Sequence, residues 1–105
     1  MRSNLSISEQ YDHLGMEWAD LNAAASLLED CSGAFFSQIV LKQEASSVAM
    51  KEVLAKASTE WNDYQKAKVA ARTKANYAKV KLEVIKMKFW EWQSDSANNR
   101  VQAKL

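Results

Sequence analysis

His13 is the one histidine of a 105-residue chain, and Glu9 and Glu17 stand one helical turn away on either side of it. Carboxylates and an imidazole so spaced share a helix face and could hold a metal ion weakly, but the same trio is the ordinary make-up of a solvated charged face. It is read here as that face. Cys31, the one cysteine, has no second thiol for a disulfide or for zinc-ligand spacing, which suits a reducing compartment. It lies one step from an apolar stripe with no cation on the adjacent turn, so a buried, inert thiol is expected. The chain has no glycine-rich phosphate loop, zinc-finger spacing or paired-carboxylate motif. It is therefore expected to be no enzyme, with no catalytic residue, metal or cofactor.

The charges are more informative. Residues 1–50 carry two basic side chains, Arg2 and Lys42, against seven acidic ones, a balance of −5, whereas residues 51–105 carry twelve basic and six acidic, or +6. Between positions 64 and 90, Lys66, Lys68, Arg72, Lys74, Lys79, Lys81, Lys86 and Lys88 face only Glu83. On a helix Lys74, Lys81 and Lys88 fall on one line and Arg72, Lys79 and Lys86 on another, the lines that flank a packing seam. The earlier half supplies Glu17 and Glu29 at matching positions, but also Gln10, Gly15, Asn22 and Ala24. Several cations are thus expected to lack a partner within the chain. A solvated helix face is one reading; a surface for single-stranded nucleic acid or an acidic partner, with Tyr77 and Trp90 interleaved for stacking, is the other.

The same segment bears a second apolar line, Val69, Tyr77, Val80, Val84, Met87 and Trp90, on the side of the wheel away from the seam. A helix apolar on two faces leaves one of them uncovered in a two-helix arrangement, and such a patch marks a partner surface. Self-association through this line is expected, giving a homo-oligomer of at least two copies.

These residues require long helices to position them. The sequence has no proline and only two glycines, Gly15 and Gly33, so it lacks the punctuation of strand and loop-rich folds. Ser6-Ile7-Ser8-Glu9 reads as a capping box. After it Ile7, Tyr11, Leu14, Trp18, Leu21, Ala25, Leu28, Ser32, Phe35 and Ile39 recur at steps of four and three and carry one stripe through Gly33, predicting a helix over about 7–44 that bends at the glycine. Ala45-Ser46-Ser47 is the corner, followed by a short helix over about 47–57 that carries Val53 and Leu54 inward. Ser58 then caps a third helix over about 59–104, whose stripe is Trp61, Tyr64, Lys68, Ala71, Ala75, Ala78, Leu82, Ile85, Phe89 and Trp92. The expected fold is all-α and a single domain over 1–105: a long antiparallel, coiled-coil-like helical hairpin with a short connecting helix, assembling into a dimeric or larger helical bundle. Antiparallel pairing is expected to set Ala71, Ala75 and Ala78 opposite Leu28 to Phe35, and Phe89 and Trp92 near Leu14 and Tyr11.

The run Glu17-Trp18-Ala19-Asp20-Leu21-Asn22-Ala23-Ala24-Ala25-Ser26-Leu27-Leu28-Glu29, with Lys56-Ala57-Ser58, Ala71-Arg72, Ala75-Asn76, Phe89, Trp92, Ala97-Asn98 and Arg100, resembles a group of small helical proteins. These are encoded by tailed phages and prophages, often beside single-strand annealing or recombination genes. The resemblance implies a phage accessory protein in the host cytoplasm, acting on single-stranded DNA or on a recombinase or single-strand binding protein. A phage inhibitor of a host defence component, of anti-CRISPR or anti-restriction type, shares this size and composition. Secreted helical hairpins of similar length turn at a Trp-x-Gly motif, which the Ala45-Ser46-Ser47 corner lacks. The chain has neither the basic start and apolar run of a secretory signal nor an apolar run of the ~18 residues that a membrane span needs, so no membrane partner is expected.

Overall fold

The structure, a computed structural model, describes residues 5–104, leaving Arg2 of the charge balance outside; among the described residues it is helical and contains no strand. Four helices follow in order, α1 (Ile7–Asp30), α2 (Ser32–Lys42), α3 (Val48–Ala57) and α4 (Thr59–Lys104). None is long and apolar enough to cross a membrane. Serine hydroxyls punctuate the chain. Ser6 Oγ accepts from the Glu9 amide at 3.1 Å and Ser47 Oγ from the Met50 amide at 3.1 Å. Ser58 serves two helices, accepting from the Trp61 amide at 3.2 Å and donating to the Ala55 carbonyl at 2.6 Å. Each bond satisfies a backbone group that a helix end leaves open. No proline or glycine follows Gly33, so α4 runs 46 residues.

The contacts gather in two compact units, one of Met1–Asp20 with Asn76–Leu105 and the other of Leu21–Ala75. In the Leu21–Ala75 unit, Ala25, Ile39, Ala55 and Ala75 are the buried residues. Phe35 stacks on Tyr64 with ring centroids 4.4 Å apart, Phe36 meets Trp61 at 4.8 Å, and α2 packs on α3. The continuous helix expected over 7–44 is divided, and the break falls at Cys31 rather than at Gly33. Its physical cause is a tertiary contact. The Leu27 carbonyl is taken by the Cys31 amide at 3.0 Å, but the next one, of Leu28, accepts from the Tyr64 hydroxyl. With that carbonyl bonded to α4, the helical ladder lapses after the Cys31 amide and resumes when Phe35 donates to the Cys31 carbonyl at 3.0 Å. Cys31 itself is exposed, not buried as expected.

Val53 and Leu54, expected to face inward on the short helix, are exposed, and Ala55 between Leu54 and Lys56 is the residue buried. α3 packs on α2 within this unit, and a small side chain at a buried position lets two helices approach closely. Pairing within this unit also differs from expectation. The Leu28 to Phe35 stretch faces Tyr64 and Lys68, while Arg72 faces Asn22, Ser26 and Glu29.

In the Met1–Asp20 and Asn76–Leu105 unit, Leu14 and Ala78 are buried. Leu14 shares a groove with Val84 and Ile85, Tyr11 one with Phe89 and Trp90, and Ile7 one with Phe89 and Trp92. Phe89 and Trp92 therefore sit about a turn nearer the start of α1 than the expected Leu14 and Tyr11. A stripe with a seven-residue repeat tolerates such slips, because each one again places apolar on apolar.

Gly15 lies inside α1, where a β-carbon would meet Leu82 Cδ1 at 3.8 Å, an ordinary contact; at Gly33 nothing lies within 4 Å. Neither glycine has a positive φ. Gly15→Ala and Gly33→Ala should each raise stability by about 0.5–1 kcal/mol in urea unfolding followed by circular dichroism, whereas Ser58→Ala should lower it by about 1 kcal/mol.

Candidate functional site

Of the eight cations singled out in the sequence, two in the Leu21–Ala75 unit are engaged by α1 and α2. Arg72 forms a fork on Glu29, with Nε donating to Oε2 at 2.8 Å and Nη2 to Oε1 at 2.7 Å. Its Nη1 donates to Asn22 Oδ1 at 2.8 Å and its Nη2 also to Ser26 Oγ at 3.3 Å. A bidentate guanidinium–carboxylate pair with two further acceptors is a positioned group, not a cation waiting for a phosphate. Arg72 of the expected nucleic-acid-binding set is thus already engaged within its own unit. Lys68, half-buried, reaches Ser32 Oγ at 3.5 Å. Glu29 answers Arg72, and the uncharged Asn22 and Ser26 add acceptors beyond the carboxylates expected from α1. Asn22, Ser26 and Glu29 follow at steps of four and three, one line of α1 beside the apolar stripe, which was the available signal.

Lys66 and Lys74 in that unit, and Lys79, Lys81, Lys86 and Lys88 in the other, are exposed. Among the described residues none of these six takes part in an ion pair; the pairs formed are Arg72–Glu29 and Lys42–Glu60, the latter at 3.3 Å. Ammonium groups so placed keep their charge in water and can exchange counterions for an anionic ligand.

Val69, Tyr77, Val80, Val84, Met87 and Trp90 are exposed as well, from 45% at Val84 to 66% at Tyr77. In the Met1–Asp20 and Asn76–Leu105 unit, Val80 and Val84 form one wall of a groove of about 320 Å³ whose other wall is Leu5, Gln10, His13 and Leu14, with Lys81 and Ile85 alongside. Trp90 borders a separate groove with Ser8, Tyr11, Lys86 and Phe89. His13 is exposed at the rim of the first groove. Apolar walls with lysine at the margin can accommodate an apolar, acidic surface.

Comparisons with protein-family models, with curated proteins and with solved structures give no match. The reading of the site rests on its own residues.

The Glu29 carboxyl is held below its ordinary value of 4.5, first by the hydrogen bonds from Arg72 and then, against a smaller cost of burial, by the charges of Arg72 and Lys68. The Arg72 guanidinium is raised by the same bonds. The Tyr64 phenol is pushed up, mainly by burial and then by the nearby Cys31 sulfur, so it stays a donor to Leu28. A carboxyl depressed on folding stabilises the fold above its unfolded value, and that contribution disappears as pH falls through the lower folded value. Urea unfolding from about pH 6 to about pH 3 should therefore show Glu29→Gln less stable than the unaltered chain at the upper end, with the difference closing at the lower end.

Proposed function

We propose that this chain is a non-enzymatic binding protein whose exposed α4 lysines contact the phosphates of single-stranded DNA, in the role of an accessory to phage DNA recombination or replication in the host cytoplasm. One observation carries the reading. Lys66, Lys74, Lys79, Lys81, Lys86 and Lys88 are exposed and outside the ion pairs found among the described residues, along a helix that also exposes Tyr77 and Trp90. Cations at regular helical spacing track a phosphate backbone, and exposed aromatic rings give bases a stacking surface without demanding a sequence. The phage setting follows from the resemblance of the α1 run and its companions. The fold is taken as a long, coiled-coil-like helical hairpin, a view supported by contacts in each unit that step down α4 as they step up the earlier helices. The exposed apolar line favours a second reading, a protein-binding inhibitor of a host defence complex, in which the partner is a protein surface.

Fluorescence anisotropy with labelled single-stranded DNA tests the first reading. Binding should be measurable at about 50 mM salt and weaken linearly on a log–log scale, by about 0.7 in slope for each phosphate neutralised. Replacing Lys74, Lys79 and Lys86 by glutamine should reduce that slope by about 2. Arg72→Gln should leave the slope unchanged and lower stability instead. Absence of binding at about 50 mM salt and micromolar protein removes the DNA reading.

A further inference from the structure

We propose that this chain self-associates head to tail, the lysine-flanked apolar face of α4 in one copy docking on the acidic outer face of α1 in a second. The inference goes beyond DNA binding and does not depend on it. Both faces belong to the Met1–Asp20 and Asn76–Leu105 unit. On α4, Tyr77, Val80, Val84, Met87 and Trp90 are each exposed by about half or more. Since a buried aromatic side chain covers about 150–250 Å², these five leave on the order of 500 Å² of side chain open to water. That is at the upper end of what a monomer leaves bare, and an equal area covered on the second copy would bring the contact to the roughly 1,000 Å² at which a specific contact becomes stable.

Charge selects the occupant. Lys79, Lys81, Lys86 and Lys88 border the apolar face, with Glu83 the one acid between residues 76 and 90. A second α4 laid on the first would set these lysines against lysines, which costs binding energy and slows encounter. The outward side of α1, opposite the buried Leu14, has the complementary character. Glu9, Asp12, Met16, Ala19 and Asp20 are all exposed there, with no lysine or arginine in α1. Asp12, Met16 and Asp20 stand four residues apart on one line, an apolar side chain between two carboxylates. Met16 can adapt to the Val80, Val84 and Met87 ridge, while Asp12 and Asp20 meet the lysines beside it. Each copy offers one face of each kind, so the contact is heterologous and continues from copy to copy unless a ring closes.

Light scattering after size-exclusion chromatography tests the proposal. At about 100 µM protein and about 50 mM salt the mass should be about twofold or more above the 11.9 kDa monomer and climb with concentration, and it should fall as about 500 mM salt screens the charges. Asp12→Lys with Asp20→Lys should be monomeric, as should Lys81→Glu with Lys88→Glu, both with unchanged helical circular dichroism; mixing the two double variants should restore association. If a double variant loses helicity, Asp12→Asn with Asp20→Asn carries the same test. A clean monomer for the unaltered chain at low salt overturns the proposal, and binding to anionic vesicles or to an acidic amphipathic peptide would then assign the α4 face to those occupants. Continued association of the Asp12, Asp20 variant also overturns it, in favour of an α4-to-α4 contact.

Discussion

A guanidinium between two helices has to find acceptors for its fork, and in the Leu21–Ala75 unit that requirement falls on Arg72. Its bonds to Glu29, Asn22 and Ser26 are met at one relative placement of α1 and α4 within the unit. Apolar stripes alone would accept several placements, since a shift of one repeat restores the same contacts. The directional bonds reject the others. Once Arg72 lies against Glu29, Tyr64 comes level with Leu28 and takes its carbonyl, and α1 gives way to α2 at Cys31. Phe35 and Tyr64 then stack where the chain resumes its helix. Register, helix break and aromatic packing share a cause in a few polar contacts.

Those contacts also sort the cations by use. A positive charge held by a bidentate carboxylate and two neutral acceptors is committed to the fold, and its removal leaves polar partners without their donor. Lysines whose ammonium groups stand in water cost the fold nothing and keep their counterions for exchange. The division between Arg72 and the exposed lysines of α4 is therefore one between a cation bonded within its unit and cations open to water, although both kinds occur in a single basic stretch of sequence.

The two faces of α4 between residues 76 and 90 differ in what they ask of the molecule. Ala78, Leu82, Ile85 and Phe89 turn toward α1 in their unit and are buried or half-buried, while Val80, Val84 and Met87 remain exposed. Keeping apolar side chains about half in water forgoes roughly half of the ~1.5–3 kcal/mol that full burial of a side chain of that size releases. Rows of lysine flank them, so a positive field surrounds this apolar face.

Much of the secondary structure was legible because it depends on neighbours in sequence. The absence of proline, the serines at 6 and 58, and the three-and-four spacing of apolar residues locate the starts of the first and last helices and the buried line through Leu14, Ala25, Ala75 and Ala78; the cap at Ser47 emerged only in the structure. The exposed line from Tyr77 to Trp90 follows from the same periodicity, as do the rows of lysine. Tertiary contact decided the rest. Gly33 looked the weaker point of the first helix on propensity, yet the break came at Cys31, because a hydroxyl 36 residues away in sequence competes for the Leu28 carbonyl. Val53 and Leu54 were the apolar candidates of α3, yet Ala55 was the residue buried, because the packing of neighbouring helices, not hydropathy alone, decides which face of a short helix turns inward. Arg72 read as one more cation, since a sequence carries charge and spacing but not the distance to Glu29, and that distance determines whether a cation holds the fold or faces a ligand.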